Sequence, residues 1–185
     1  SKPEIDLPPD IDPYSPAVYA KARENFERML RDGVLERDAS PCYYIYRLIM
    51  GTHAQTGIVA VASVPDYERN RIRKHEFTRP DKEDDRVRQI DALNAQTGPV
   101  FLTYRRSFDV DAIVARASAA APEVDVTAED GVRHSLWVMR EPGSIAALTA
   151  AFDALPCLYI ADGHHRSAAA ARVAAARKAA NPHHT

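Results

Sequence analysis

The sequence predicts a fold of the α+β or mixed α/β class, with a mixed sheet and surrounding helices. Apolar residues recur at helical spacing in several segments, whereas other segments are rich in aromatic and β-branched residues. Two pairs of strand-like segments flank short turn sequences, as in antiparallel hairpins. A further apolar strand runs directly into a helix near the end of the chain. Hairpins combined with a strand–helix unit are typical of this fold class.

The composition is that of a single globular domain over residues 1–185. Hydrophobic residues make up 45% of the chain and charged residues 27%, so a core can form without disulfides. The 24 basic and 26 acidic residues leave a net charge of -2, which argues against a specific nucleic-acid partner or an anionic membrane surface. No apolar run is long enough to span a bilayer, and the two cysteines are far apart, so we expect a cytoplasmic protein.

The first third of the chain predicts a helix and a hairpin. Ser15-Pro16 is a helix start, because serine caps a helix and proline suits its first position, and Gly33 ends that helix. Cys42–Met50 and Gln55–Val64 are predicted to be paired strands. The second strand is nearly continuous in apolar residues over Ile58–Val64, which predicts burial of both of its faces.

The middle of the chain predicts a charged helix followed by a strand. Thr78-Arg79-Pro80-Asp81 resembles a capping box with proline in the first turn. We therefore expect a helix from about Asp81 to Gln96, ended by Gly98. A short strand over Pro99–Tyr104 should follow it.

The next segments predict a short helix and a second hairpin. Asp109 can cap a helix over Val110–Ala119. Val124–Thr127 and Val132–Met139 flank Asp130-Gly131, a dipeptide that favours a tight turn between antiparallel strands.

The last third predicts two helices around a buried strand. Pro142 begins an amphipathic helix that Pro156 ends, and Cys157–Ile160 is a short apolar strand. This strand runs through a polar loop, Ala161–Arg166, into an alanine-rich helix that reaches about Ala180.

That polar loop carries the side chains best suited to chemistry. Gly163 permits a tight turn, the following helix start favours an anion, and Arg166 offers donors for phosphate oxygens. His164 and His165 can donate hydrogen bonds, bind metal or transfer protons. Asp162 can bind a divalent ion, orient a histidine or cap the helix. The alternative is an ordinary turn with two exposed histidines, but the combination favours an anion site.

A second charged segment, Lys74-His75-Glu76-Phe77-Thr78-Arg79, has two interpretations. By itself it is typical of a solvated, salt-bridged surface that adds little stability. Beside an anion site, Lys74 and Arg79 become candidate phosphate contacts and Glu76 a candidate general base for a hydroxyl group. The glycine-rich loops that usually bind nucleotides are absent from the sequence.

Four ordered motifs resemble one bacterial family. They are Lys74–Arg79, Lys82-Glu83-x-x-Arg86, Gly98-Pro99-Val100-Phe101 and Tyr159-Ile160-Ala161-Asp162-Gly163-His164-His165-Arg166. The chain is identified from them as a member of the family catalogued as domain of unknown function 1015. The resemblance runs nearly end to end. Members of that family are longer, so we expect the chain to be a middle portion with segments before Ser1 and after Thr185.

The resemblance implies a ParB/sulfiredoxin-like fold, whose strand–loop–helix motif binds nucleotide phosphates. His164 stands where the sulfiredoxin loop has a cysteine, which argues against sulfinic-acid reduction. The Asp-Gly-His-His-Arg motif is similar to that of archaeal free-serine kinases, which use ADP. By this similarity, Asp162 through Arg166 would bind phosphate and Mg²⁺ from ADP or ATP, with Asp162 as the metal ligand. Glu76, His164 and His165 are then the candidate catalytic residues.

The leading hypothesis is a nucleotide-dependent kinase for a small hydroxyl-bearing metabolite, with free serine as one candidate substrate. Phosphoryl transfer depends mainly on positioning and charge neutralisation, which such a loop can supply. A nucleotide-binding regulatory module without catalysis is the alternative, and an interaction domain that has lost nucleotide binding is a third. The sequence does not name the substrate, the nucleotide or the oligomeric state.

Overall fold

The computed structural model describes residues 3–181 and residue 183. The α-helices in this part of the chain are α1 (Pro16–Arg31), α2 (Val64–Glu68), α3 (Pro80–Leu93), α4 (Phe108–Ala117), α5 (Pro142–Asp153) and α6 (His164–Ala180). The strands are β1 (Tyr43–Met50), β2 (His53–Val59), β3 (Ile72–Arg73), β4 (Phe101–Thr103), β5 (Val124–Thr127), β6 (Arg133–Met139) and β7 (Leu158–Asp162). Helices and both parallel and antiparallel strand pairs occur together, which confirms the predicted α+β class. None of the described helices has both the length and the apolar character needed to cross a membrane.

The chain forms two compact units, and each is built from separate segments. The first unit comprises Ser1–Arg37, Ser63–Thr103 and Cys157–Thr185, and the second comprises Asp38–Ala62 and Tyr104–Pro156. Both units lie within residues 1–185, the span predicted to be a single domain. The single-domain assignment stays a prediction. The segments expected before Ser1 and after Thr185 are not part of this sequence, and that expectation stays a prediction.

The second unit is an antiparallel sheet with two helices. Its strand order is β2-β1-β6-β5, and Ile45 of β1 lies opposite Ile58 on one side and Trp137 on the other. The sheet packs against α4 and α5 through an apolar cluster that includes Val110 and Leu148. The indole N–H of Trp137 donates a 2.8 Å hydrogen bond to the carbonyl oxygen of Ala120, so the aromatic core residue has no unsatisfied donor.

The first unit has a small mixed sheet with β7 at its centre. β7 pairs with β3 in parallel and with β4 in the antiparallel sense. The following helix, α6, packs against α3 through Ala169, Val173 and Ile90, since alanine allows the two helices to approach closely. Arg172 of α6 adds ion pairs to Glu83 and Asp84 of α3. This packing fixes the position at which β7 passes into α6.

The predicted pairing of the first two strands is confirmed, but the predicted extent and burial of the second strand are wrong. Instead of a buried strand over Gln55–Val64, β2 ends at Val59 and lies largely exposed at the edge of its sheet, where β1 is its one partner among the described strands. Val61 is 99% exposed. The chain then turns into α2, because the hydroxyl of Ser63 caps the helix by accepting a hydrogen bond from the Asp66 N–H and Pro65 suits its first turn.

Three helix boundaries also differ from the sequence prediction. Ser107, not Asp109, caps α4, because its hydroxyl accepts a hydrogen bond from the Val110 N–H. Thr78 does not cap α3; its hydroxyl donates to the carboxylate of Glu83 instead. α3 ends before Gly98, because Asn94 adopts a left-handed conformation with φ of 51°. The sequence prediction also missed β3, α2 and a 3₁₀ turn at Pro3–Asp6.

Substitution of Ile45 tests the core of the second unit. Ile45 has no exposed surface, so Ile45→Ala should lower the free energy of unfolding by about 2–5 kcal/mol. Urea unfolding followed by the fluorescence of Trp137, the single tryptophan, measures this change. The matched control, Val61→Ala, should leave the midpoint nearly unchanged. Equal losses for the two variants would contradict the exposed position of Val61.

Candidate functional site

The transition from β7 to α6 creates a helix start that no side chain caps. Gly163 occupies the N-cap position with φ of 102°. Because glycine has no side chain, the helix start lacks a capping hydrogen bond from this residue. A Cβ at this residue would lie 2.9 Å from a methyl group of Val100 and 3.0 Å from Nη2 of Arg166, so only glycine fits. The first-turn N–H groups of a helix have no acceptor within the helix and carry its partial positive charge. This end of α6 is therefore suited to an anion.

The side chain of Arg166 lies folded beside the loop. Its Nη2 is 2.6 Å from Oδ2 of Asp162, and the side chain of Asp162 is 72% exposed. Gly98 makes room for Arg166, since a Cβ there would lie 2.8 Å from the arginine Cδ. The Nε atom of Arg166 is buried and has no hydrogen-bond partner among the described residues. The guanidinium is thus held next to the helix start by packing and by one exposed carboxylate.

The charged segment at residues 74–79 lies against the same helix start. The backbone N–H of Arg79 donates to Nε2 of His165 over 3.1 Å, and that of His75 lies 3.5 Å from Nε2 of His164. The rings of His75 and His164 also meet edge to face, with centroids 4.5 Å apart. The two segments that the sequence marked separately are therefore in direct contact, although 86 and 89 residues separate the bonded pairs.

Burial favours the neutral form of His164. The residue is only 4% exposed, and burial, followed by the charge of His75, lowers its pKa, while Glu76 acts in the opposite direction. The Nε2 atom of His164 accepts a long hydrogen bond from the backbone N–H of His75, so the ring proton is assigned to Nδ1. That atom lies 3.2 Å from Oε2 of Glu76, whose side chain remains 63% exposed. The arrangement orients a carboxylate that solvent or a ligand can still reach.

Two predicted phosphate contacts have other partners in the structure. The Lys74 amine lies 3.8 Å from the centre of the Tyr67 ring, in a cation–π contact. The guanidinium of Arg79 forms a 2.8 Å ion pair with Asp81, so Arg79 meets the loop through its backbone rather than its charge. A phosphate role for either side chain requires these contacts to be exchanged and stays a prediction.

Gly98 and His75 contribute to the site in ways that the sequence does not predict. Gly98, predicted to end a helix, instead makes room for the side chain of Arg166. His75, which the sequence places beside a possible phosphate contact, instead contacts His164 through its ring and its backbone. The glycine before a proline at residues 98–99 was the available signal for a close approach of the backbone; nothing in the sequence pairs His75 with His164.

The described residues do not form a metal centre on their own. In residues 3–181 and 183, no three His, Cys, Asp or Glu side chains are grouped so that they could hold a metal ion. Asp162 was the predicted ligand, and its carboxylate is paired with Arg166. Mg²⁺ is often held by one or two carboxylates together with substrate phosphates. Any metal at this site would therefore depend on ligand oxygens.

The family comparison agrees with the resemblance drawn from the motifs. The family described as "Protein of unknown function (DUF1015)" matches residues 1–185. The chain therefore belongs to this family. No curated protein and no solved structure matches the chain.

The buried histidine predicts a pH dependence of stability. Because folding lowers the pKa of His164 below its ordinary value of 6.5, the unfolded chain binds more protons and stability falls as the pH drops below that value. The free energy of unfolding should therefore be higher at pH 7.5 than at pH 5.5, as measured by urea titration.

His164→Gln should reduce this difference, since it removes the titrating group. His53→Gln, at an exposed histidine of β2, is the control and should retain the full difference. An unchanged pH dependence in His164→Gln would refute the assignment of the effect to His164.

Proposed function

We propose that this member of the DUF1015 family is a nucleotide-dependent phosphotransferase that acts on a small hydroxyl-bearing metabolite, with free serine as a candidate substrate. One observation carries the proposal: the exposed Glu76 carboxylate lies 3.2 Å from His164, the first residue of a helix whose start has no side-chain cap. A candidate base and a candidate phosphate site are thus adjacent. Phosphoryl transfer needs both.

The phosphate-binding part of the proposal rests on the helix start and Arg166. The first-turn N–H groups of α6 supply donors and a positive potential for phosphate oxygens. The Asp162–Arg166 pair is solvent-exposed on the carboxylate side, and such pairs are worth only about 0–1 kcal/mol. A bound phosphate can therefore replace Asp162 as the partner of the guanidinium at little cost and with two donors.

The transfer step requires no covalent bond to the protein. The hydroxyl oxygen of the acceptor attacks the terminal phosphorus, and the bond from that phosphorus to the bridging oxygen of the nucleotide breaks. The hydroxyl proton passes to the carboxylate of Glu76, while the nucleotide, shortened by one phosphate, leaves with the bonding electron pair. Mg²⁺ bound with the nucleotide would supply charge neutralisation, and Asp162 is the residue of this loop that would contact it.

Neutral His164 has a positioning role in this scheme. Its ring is fixed by the His75 backbone and faces Glu76 through Nδ1. A neutral ring orients the carboxylate without neutralising its charge, so Glu76 keeps its capacity to accept a proton. The proposal also assigns the chain to the ParB/sulfiredoxin-like superfamily and relates it to free-serine kinases, on the strength of the Asp162–Arg166 motif. Histidine in place of the sulfiredoxin cysteine makes sulfinic-acid reduction a poorer fit.

A regulatory module that binds nucleotide without transferring phosphate is the second candidate. This second candidate is favoured by the ion pair between Asp162 and Arg166, because a carboxylate paired with arginine is not free to bind Mg²⁺. The two candidates share the phosphate site and differ only in whether Glu76 acts as a base.

Replacement of Glu76 separates the two candidates. The chain is incubated with Mg²⁺, terminally labelled ADP or ATP and a panel of hydroxy-amino acids that includes serine. We expect label transfer to one of them, and we expect Glu76→Gln to lower kcat by about 10²- to 10⁴-fold with nucleotide affinity retained. Glu129→Gln, at an exposed glutamate of the second unit, should behave as wild type. Nucleotide binding without any transfer would favour the regulatory module.

Replacement of Arg166 tests the phosphate site itself. Hydrogen bonds to a charged group contribute about 1.5–3 kcal/mol, so Arg166→Ala should weaken ADP binding by about tenfold or more in titration calorimetry. His53→Ala provides the control, because its position on β2 lies in the other unit. Equal affinities in the two variants would exclude the loop from the nucleotide site.

A further inference from the structure

The aromatic side chain of Phe77 is fully exposed to solvent. It is 101% exposed, the most exposed of the large apolar residues in the described part of the chain. Phe108, another exposed phenylalanine, is 75% exposed, and its ring centre lies 4.7 Å from the guanidinium carbon of Arg106. No ring or cation contact of this kind involves Phe77 among the described residues. Its whole ring is therefore available to a ligand.

The segment that carries Phe77 is fixed on both sides. Before it, the Glu76 carboxylate approaches His164; after it, the Thr78 hydroxyl bonds to Glu83 and the Arg79 N–H bonds to His165. Exposure of the ring is therefore not the result of an unanchored loop. A phenylalanine held in water by a fixed backbone forgoes the free energy of burial. Single exposed apolar side chains are common on protein surfaces, so the position of Phe77 beside the helix start, rather than its exposure alone, is what points to a ligand.

The short distance between Phe77 and the start of α6 suits a nucleotide as the ligand. An extended chain spans at most about 3.3–3.6 Å per residue, so the Phe77 backbone lies within about 7 Å of those of His75 and Arg79, both of which contact the start of α6. A nucleotide whose phosphates bind at that helix start must extend its ribose and base to one side. The segment bearing Phe77 borders the same site.

We infer that Phe77 is the surface on which the nucleotide base stacks, a conclusion that rests on the phosphate site of the proposed function. Base–aromatic stacking requires only the π face of the ring and is tolerant of base identity. Phenylalanine offers no hydrogen bond that could select one base. The site therefore recognises a nucleoside di- or triphosphate through its phosphates and adds affinity through the base, with little discrimination between adenine and guanine.

The experiment compares ADP, GDP and inorganic pyrophosphate by titration calorimetry on wild type, Phe77→Ala, Phe77→Trp and the control Phe108→Ala. Wild type should bind ADP and GDP with similar affinity and more tightly than pyrophosphate. Phe77→Ala should lose about tenfold or more for both nucleotides and nothing for pyrophosphate. Phe77→Trp should retain nucleotide affinity, and ADP but not pyrophosphate should quench the new tryptophan. Circular dichroism checks that each variant is folded.

The outcomes separate this inference from the proposed function. Wild-type ADP affinity in Phe77→Ala overturns the stacking role and leaves the phosphate site intact. Equal losses for ADP and pyrophosphate also overturn it, because Phe77 would then act on the loop rather than on the base. Strong preference for one base overturns the predicted tolerance. Failure of wild type to bind any of the three ligands overturns both the proposed function and the stacking role.

Discussion

Two backbone-to-histidine contacts hold the candidate site together. The N–H groups of His75 and Arg79 point at the Nε2 atoms of His164 and His165, the first two residues of α6. These contacts join the loop between β3 and α3 to the start of α6, directly after the central strand of the sheet. Without them, the Glu76 carboxylate would have no fixed relation to the helix start. The chemistry proposed for the site depends on that relation.

The same contacts decide the charge of the site. A histidine ring that accepts an N–H at Nε2 has its proton on Nδ1, and burial keeps His164 uncharged. The positive charge available to an anion therefore comes from Arg166 and the dipole of α6, not from this imidazole. The carboxylate of Asp162 pairs with the guanidinium of Arg166. Exchange of one exposed carboxylate for a phosphate is a mild electrostatic change, which suits reversible binding.

Local signals in the sequence recovered the fold class, most helices and both hairpins. They did not recover β3, because Ile72–Arg73 is too short for a period and is a strand only through its pairing with β7. Ser107 and Asp109 are both good caps, and only the folded backbone shows which oxygen meets a free N–H. The sequence pattern predicts the polar loop after β7 but not its contact with Glu76. Residue spacing within one segment does not indicate which distant segment it contacts.

The central strand of the first unit follows both of its partners in the sequence. β3 and β4 each pair only with β7, and the second unit's segment Tyr104–Pro156 intervenes before β7 begins. Such non-local pairing raises contact order and slows folding. The segments of β3 and β4 are synthesised before that of β7, so neither can form its native pairing until β7 has been made. A chain truncated before Leu158 would lack the strand that pairs with β3 and β4, and their unpaired edges would then be a hazard for aggregation.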